Sequence, residues 1–237
     1  MIFAAGLGTR LKPLTDTMPK ALVPLAGKPL LQWQVEKLRD AGITDIIVNV
    51  HHFPDMIIDT VRRNNGWGCN ILISDERDML LDTGGGLRKA ISQYSVISNQ
   101  HSAILACNVD ILSNIDIRAL IASYAESLLV VSDRQTQRYL CFDENDRLCG
   151  WTNVQTGELK AQDGRHLAFS GMQILSPEVL SHLQEMKEDK FSLIDFYLHV
   201  LNRVPLKAYI PAGYRMMDVG KINQIEEAET FAEHLRS

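Results

Sequence analysis

The segment Phe3-Ala4-Ala5-Gly6-Leu7-Gly8-Thr9-Arg10-Leu11 decides the fold, because it ends a short apolar strand in a glycine turn near the start of the chain. Gly6 and Gly8 can adopt positive φ angles, which lets backbone N–H groups approach an anion closely. The segment Pro19-Lys20-Ala21-Leu22 follows and adds a second cation to Arg10. We therefore predict a phosphate-binding turn at the end of the first strand.

The side chains of this turn suit a triphosphate. Thr9 supplies a hydroxyl donor, Arg10 a planar guanidinium that is always charged, and Lys20 a compact ammonium. Two commoner phosphate motifs do not fit, since the Walker motif ends in Gly-Lys-Ser/Thr and the dinucleotide motif needs a third glycine where Leu11 stands. The residues predicted to bind the nucleotide at this turn are Ala5, Gly6, Gly8, Thr9, Arg10 and Lys20.

Length and composition favour one domain over residues 1–237, because a chain with 46% hydrophobic residues can bury one substantial core. The net charge of −5 argues against a nucleic-acid partner, since affinity for a phosphate backbone comes from clustered Lys and Arg. The sequence shows no apolar run of membrane-spanning length and no secretory signal, so we expect a cytoplasmic protein without a membrane partner. The oligomeric state is expected to be either a monomer or a homodimer.

The spacing of the cysteines indicates neither a zinc site nor a disulfide framework. They are spread along the chain without C-x-x-C spacing. Reduced thiols are expected at Cys69, Cys107, Cys141 and Cys149.

Apolar runs alternate with amphipathic segments in the first half of the chain. Strands are predicted at residues 45–50, 69–74 and 103–107, after a first strand at 1–4. Helices are predicted between them at residues 30–41, 55–64 and 87–94. This alternation implies crossovers and a mostly parallel sheet that binds ligands beyond the carboxyl ends of its strands. The glycine turn stands at such an end.

The pattern becomes rich in strands after residue 126, which predicts an antiparallel insertion. The predicted strands are residues 128–132, 139–142, 148–151 and 169–175, with a turn at 143–146. The predicted helices are residues 177–186, 193–202 and 223–235. The fold class is therefore α/β with a mixed, mostly parallel sheet.

These segments resemble the sugar-1-phosphate nucleotidyltransferases, or nucleotide-sugar pyrophosphorylases, whose signature is A-G-G/x-x-G-T-R-L-x-P-L-T followed by P-K-x-L. The chain reads AGLGTRLKPLT at residues 5–15 and PKALVP at residues 19–24, so the agreement is long and specific. The resemblance implies a Rossmann-like, three-layer α/β/α fold of the GT-A-like nucleotidyltransferase type. Members with a C-terminal β-helix are longer, so the chain resembles the short members that have only the catalytic domain.

Asp110 directly follows the strand predicted at 103–107, and a carboxylate there can reach a ligand at the sheet edge. Mg²⁺ is held by one or two carboxylates together with phosphate oxygens, so a second acidic residue is needed. The resemblance implies that Asp110 and Asp218 are the two metal ligands, from the family's G-D and W-x-D-x-G motifs. Val109 and Met216 depart from those motifs, but neither change removes a carboxylate.

Three consecutive glycines follow Thr83 and allow a flat base or ribose to approach the backbone. Read alone, the segment 81–87 is equally consistent with a helix entry capped by Thr83. The resemblance implies a nucleoside-recognition loop in which Thr83, Gly84 and Gly85 bind nucleotide. The sequence Thr-Gly-Gly-Gly resembles that of the short bacterial uridylyltransferases acting on N-acetylmuramate 1-phosphate, which favours uracil modestly.

The residues for the sugar phosphate are harder to identify. Trp151-Thr152-Asn153 stands where many family members have Glu-Lys-Pro, so a lysine expected near the sugar phosphate is missing. Asn153 could instead bond sugar hydroxyls. By the resemblance, Ser170 and Gly171 correspond to a strand that faces the sugar, and Asp195 to a late acidic position; packing and solvation are the competing roles. The predicted sugar-binding residues are Asn153, Ser170, Gly171 and Asp195.

The predicted reaction is NTP plus sugar 1-phosphate to NDP-sugar plus pyrophosphate, with Mg²⁺ as cofactor and Arg10, Lys20 and Asp110 as catalytic residues. No general base is needed, because the attacking phosphate is already ionised at neutral pH. UTP with an N-acetylmuramate or N-acetylhexosamine phosphate is favoured, and guanylyl transfer to mannose or heptose 1-phosphate is second. Phosphocholine cytidylyl transfer, glycosyl transfer from a nucleotide sugar and a noncatalytic nucleotide-sensing role also remain open.

Overall fold

A computed structural model describes residues 1–94 and 102–235 of the protein. By their internal contacts the residues form two compact units. The first unit comprises Met1–Asp82, Cys107–Arg118 and Arg215–Ser237, and the second comprises Thr83–Ala106 and Ala119–Tyr214. The single catalytic domain inferred from the chain length stays a prediction.

Strands and helices follow each other along the described part of the chain. The strands are β1 (Ile2–Phe3), β2 (Pro24–Leu25), β3 (Lys28–Pro29), β4 (Asp45–Val50), β5 (Asn70–Asp75), β6 (Ile104–Asn108), β7 (Ile111–Ser113), β8 (Ser127–Ser132), β9 (Arg138–Phe142), β10 (Leu148–Asn153), β11 (Glu158–Ala161), β12 (Arg165–Leu175), β13 (Leu206–Tyr209) and β14 (Met216–Asp218). The helices are α1 (Leu30–Asp40), α2 (Pro54–Arg63), α3 (Asp82–Gln93), α4 (Ile117–Ala122), α5 (Pro177–Ser181), α6 (Leu193–Val200) and α7 (Ile225–His234).

The sheet of the first unit is parallel. Its strand order is β6-β1-β4-β5, where only Cys107 and Asn108 of β6 belong to this unit, and Ile2 of β1 lies opposite Val48 of β4 and Cys107 of β6. Strand β4 reads DIIVNV and is buried at every residue after Asp45, as expected for a strand covered on both faces. The predicted parallel sheet is therefore confirmed.

Helix α1 shows why the sequence pattern located the helices well. Its buried residues recur every three or four positions, which places them on one face: Leu30, Leu31, Gln34, Val35 and Leu38. Gly42 has a φ of 94°, and its N–H donates to the carbonyl oxygen of Arg39 at 2.8 Å. The N–H of Ile43 donates to the carbonyl oxygen of Leu38 at 2.9 Å. Gly42 therefore caps the carboxyl end of this helix.

The second unit contains the predicted antiparallel insertion. Strands β11-β10-β9-β12 are neighbours in that order, each pair antiparallel. Strand β8 pairs antiparallel with β12 and parallel with β13. The largest side chains buried in this unit are Tyr197, Phe142 and Phe196. Both parts of the predicted class are thus present, a parallel α/β sheet and an antiparallel addition.

Several elements differ from the sequence-based expectation. The helix expected at 177–186 is α5 followed by a short 3₁₀ turn at His182–Glu185. The pair β7 and β14, the strand β13 and the hairpin of β2 and β3 were not predicted. These strands have two to four residues each, so they are too short to show a period in the sequence.

Lys37 of α1 gives the first unit a measurable pH dependence. Burial lowers the pKa of its ammonium from 10.5 to about 8, although its Nζ donates to the carbonyl oxygen of Ser113 at 2.6 Å. Below pH 8 the folded and unfolded chains are both protonated here. Between pH 8 and 10.5 only the unfolded chain keeps the proton, so the free energy of unfolding rises with pH, by about 3 kcal/mol in total.

We expect chemical denaturation to show this gain in the wild type relative to Lys37→Met. The comparison is needed because buried thiols, such as Cys107 with its raised pKa, act in the opposite direction above pH 9. Lys12→Met is the control, since that side chain is 60% exposed, and its curve should run parallel to the wild type. Parallel curves for the wild type and Lys37→Met would contradict the assignment.

Candidate active site

The glycine turn begins where β1 ends and is anchored by two buried polar residues. The N–H of Ala4 donates to Oδ1 of Asn49 at 2.7 Å, and Nδ2 of Asn49 donates to Oε1 of Glu76 at 2.7 Å. Glu76 in turn accepts a bond from the N–H of Leu81 at 3.2 Å. Asn49 of β4 and Glu76, which directly follows β5, therefore fix the start of the turn. The sequence reasoning missed both, although Asn49 interrupts an otherwise apolar run in β4.

Gly8 is required by the shape of the turn. Its φ is 64°, and a Cβ at this position would lie 2.8 Å from Cγ2 of Thr15 and 3.0 Å from Cβ of Lys20. The carbonyl oxygen of Gly8 accepts bonds from the N–H of Leu11 and from the hydroxyl of Thr15, each at 2.8 Å. A Cβ on Gly6, by contrast, would meet no atom within 4 Å. The turn is thus tightly wound at Gly8 and open at Gly6.

Lys20 and Asp110 form an ion pair with little solvent access. Nζ of Lys20 donates to Oδ2 of Asp110, and the two side chains are 11% and 16% exposed. The backbone of Asp110 is held from another direction, because its carbonyl oxygen accepts from the N–H of Val219 at 2.8 Å. A predicted catalytic cation and a predicted metal ligand are therefore in direct contact.

Arg10 and Asp218 form a second, more exposed pair. Nη2 of Arg10 lies 3.8 Å from Oδ2 of Asp218, and the side chains are 58% and 47% exposed. A Cβ on Gly220 would lie 2.5 Å from Oδ1 of Asp218 and 2.8 Å from Nη2 of Arg10, so glycine leaves room for both. Asp218 lies opposite Ile111 in the pairing of β14 with β7, one position along the chain from Asp110.

The first unit therefore brings together the charged residues that were predicted from three distant segments. Two cations each pair with one carboxylate, Lys20 with Asp110 and Arg10 with Asp218. Carboxylate oxygens are the ligands that Mg²⁺ prefers, and a guanidinium with an ammonium suits phosphate oxygens. The donor set fits a site for a metal-bound polyphosphate.

The glycine loop expected at 81–87 is wrong as a loop, since these residues begin α3 at Asp82. The N–H groups of Gly84 and Gly85 donate to the carbonyl oxygen of Phe191 at 2.9 and 3.1 Å. A Cβ on Gly84 would lie 2.4 Å from the ring of Phe191. Thr83 accepts a bond at its Oγ1 from the N–H of Leu193 at 3.0 Å. Close packing within the second unit explains Gly84, and nucleotide binding by Thr83, Gly84 and Gly85 stays a prediction.

The residues predicted to bind sugar all lie in the second unit, where two of them have local structural partners. Asn153 ends β10 and accepts the N–H of Gln155 at 3.1 Å. Asp195 completes a capping box with Ser192 at the start of α6. Sugar contacts by either residue stay a prediction.

The other two sugar-binding candidates are neighbours in β12. Gly171 has a φ of 68° and lies where the pairing of β12 with β8 is irregular. Ser170 is buried, and its Oγ has no hydrogen-bond partner among the described residues. Sugar contacts by Ser170 and Gly171 also stay a prediction.

Comparison with known proteins identifies the chain. The nucleotidyl transferase family matches residues 1–234. N-acetylmuramate alpha-1-phosphate uridylyltransferase of Neisseria meningitidis serogroup B is 30% identical over 237 residues, 98% of this chain and 97% of the relative. The protein of the same name from Caulobacter vibrioides is 45% identical over 94 residues, 39% of each chain. The crystal structure of HddC from Yersinia pseudotuberculosis complexed with GMP-PN has a TM-score of 0.74 at 25% identity and covers 98% of this chain and 97% of its own.

The fold and the charged site define a sugar-1-phosphate nucleotidyltransferase, and the predicted GT-A-like nucleotidyltransferase fold is confirmed. The chain belongs to the nucleotidyl transferase family. It is thus an enzyme of nucleotide-sugar biosynthesis, as its signature segments indicated. Among the described residues, no helix is both long and apolar enough to cross a membrane.

Proposed function

We propose that this enzyme transfers a uridylyl group from UTP to N-acetylmuramate 1-phosphate or an N-acetylhexosamine 1-phosphate. The geometric observation that carries the reaction is the pair of contacts Lys20–Asp110 and Arg10–Asp218 within one compact unit. The substrate assignment is supported by the likeness to the Neisseria uridylyltransferase over almost the whole of both chains. The proposal includes Mg²⁺ as cofactor and a cytoplasmic monomer or homodimer.

In the proposed reaction an oxygen of the sugar phosphate attacks the α-phosphorus of the nucleotide in line. The new bond joins that oxygen to the α-phosphorus, and the bond to the β-phosphate oxygen breaks, so that pyrophosphate leaves with the electron pair. No proton has to be removed from the nucleophile, because a phosphate monoester is ionised at neutral pH. Positioning and charge stabilisation are therefore the main requirements on the protein.

The chain's residues divide these tasks. Arg10 presents two N–H groups to the departing phosphates, and backbone N–H groups of the turn at Gly6 and Gly8 add further donors. Lys20 places a positive charge near the reacting phosphate and pairs with the negative charge of Asp110. Asp110 and Asp218 would hold Mg²⁺, which when bound neutralises charge on the phosphate oxygens.

Guanylyl transfer to mannose or heptose 1-phosphate is the second candidate. One observation favours it: the Yersinia structure with a TM-score of 0.74 is a complex with GMP-PN. The charged residues of the first unit serve either base equally, because they act on phosphates. Base and sugar choice depend instead on a few hydrogen bonds to the base and the sugar.

Pyrophosphate release with Mg²⁺ tests the proposal across a matrix of four NTPs and a panel of sugar 1-phosphates, with phosphocholine included. We expect release with UTP and an amino-sugar phosphate. Release only with GTP and mannose or heptose 1-phosphate would overturn the uridylyl assignment and support the second candidate. Release only with CTP and phosphocholine would overturn both.

A further inference from the structure

Three side chains that the sequence keeps apart meet in the second unit. Cys141 lies on β9, Asp163 precedes β12 and His166 lies within β12. Their ligand atoms, the cysteine sulfur, a carboxylate oxygen and an imidazole nitrogen, all lie within 4.8 Å of one another. Oδ1 of Asp163 is 2.7 Å from Nε2 of His166 and 3.8 Å from Sγ of Cys141. The cysteine is buried, whereas the aspartate and histidine are exposed.

We propose that Cys141, Asp163 and His166 bind one zinc-class divalent cation, with water as the fourth ligand. In a tetrahedral zinc site, bonds of about 2.0 Å to nitrogen or oxygen and about 2.3 Å to sulfur separate neighbouring ligand atoms by roughly 3.3 to 3.6 Å. The observed separations of 2.7 and 3.8 Å bracket this range, and the third pair of atoms lies within 4.8 Å, so the three atoms are near the spacing that one ion requires.

Two glycines near the cluster allow neighbouring backbone segments to lie close together. A Cβ on Gly164 would lie 2.4 Å from the carbonyl oxygen of Phe142, and a Cβ on Gly150 would lie 2.1 Å from the carbonyl oxygen of Gln162. These glycines let the segment that carries Asp163 lie directly against β9 and β10. Ala161 has a φ of 65°, a strained value for a residue with a Cβ. Glycine-dependent packing thus places the carboxylate of Asp163 beside a buried thiol.

The three ligands also have supporting partners. The ring of His166 stacks on that of Tyr139, with centroids 5.6 Å apart and planes 20° from parallel, which restrains the imidazole. The N–H of Gly164 donates to Oδ1 of Asp163 at 2.9 Å. Cys149 is adjacent, since its Sγ contacts the carbonyl oxygen of Cys141 at 3.3 Å. Outer contacts of this kind orient ligands in metal sites.

The donor types separate this cluster from the active site. Asp110 and Asp218 offer only carboxylate oxygens, which suit Mg²⁺, whereas sulfur and imidazole ligands select zinc and similar ions over magnesium. The two sets lie in different compact units. One chain would therefore bind two kinds of metal at independent sites.

Cobalt titration of the tag-free full-length chain tests the proposal, after metals are removed with a chelator and in buffer without Mg²⁺. We expect a thiolate-to-cobalt charge-transfer band that saturates at one Co²⁺ per chain, apart from any Co²⁺ held by Asp110 and Asp218, and zinc should then bleach this band by displacement. Cys141→Ser should lose the band, and His166→Ala should weaken cobalt binding by roughly 100-fold or more. Cys69→Ser, a partly exposed thiol in the first unit, and Asp110→Asn should keep the band.

A wild-type chain without the band would overturn the proposal, as would a band that survives in Cys141→Ser or disappears in Cys69→Ser. If Cys141→Ser does not fold, His166→Ala decides the question, because its side chain is 38% exposed and its removal leaves the core intact. Cobalt affinity unchanged in His166→Ala would overturn the three-residue site.

Discussion

Replacing Asp110 with Asn is expected to lower kcat about 10³-fold, since a neutral amide is a poor metal ligand and no longer neutralises the positive charge of Lys20. The variant should fold, but it should be less stable than the wild type. The Lys20–Asp110 pair is only 11% and 16% exposed, so losing one partner leaves a mostly buried ammonium. We expect the free energy of unfolding to fall by about 2 kcal/mol.

Pyrophosphate release at saturating substrate and Mg²⁺ measures the first effect, and chemical denaturation measures the second. Asp59→Asn is the matched control, because Asp59 pairs with Arg62 on the surface of α2 and its side chain is 57% exposed. That variant should match the wild type in both measurements. Near-wild-type turnover of Asp110→Asn at high Mg²⁺ would sink the assignment of Asp110 as a metal ligand.

Replacing Arg10 with Lys is expected to lower kcat/KM for the nucleotide about 10²-fold while the fold stays as stable as before. Lysine keeps the charge but loses the planar fork that can bind two phosphate oxygens at once. The stability should change by less than about 0.5 kcal/mol, because the Arg10–Asp218 pair is 3.8 Å long and half exposed.

Steady-state kinetics with each substrate varied in turn separate this effect from a general loss. The KM for the sugar phosphate should change little, since Arg10 is assigned to the phosphates that leave. Arg62→Lys supplies the control for a surface arginine, with a side chain that is 78% exposed. An equal loss in Arg62→Lys, or full activity in Arg10→Lys, would count against the role of Arg10.

The sequence predicted the long elements well because their signals are local. Strand β4 matches its predicted bounds, and α1 differs from its prediction by one residue at its end. Both depend on residue spacing within a few positions, and the end of α1 also depends on the cap at Gly42. The glycines of α3 misled the same reasoning, because three glycines in a row are unfavourable in a helix. The structure shows that Gly84 is small so that Phe191 can pack against it.

The charged residues of the site were identified by type, but their pairing was not. Nothing in the local sequence links Lys20 to Asp110, which are separated by 90 positions. The same limit applies to Asn49 and Glu76, whose hydrogen bond spans 27 positions and positions the glycine turn. A polar residue inside an apolar strand is a usable signal for such a role, but its partner is set by the order of strands in the sheet.

The sequence by itself therefore determined the α/β class, the glycine turn after β1 and the chemical types available for nucleotidyl transfer. Those properties follow from local periodicity, from glycine conformations and from a long signature segment. The tertiary structure alone decided which charges meet, why Gly84 of α3 is a glycine, and that Cys141 lies beside Asp163 and His166. These depend on the packing of segments far apart in the chain, which local sequence patterns do not encode.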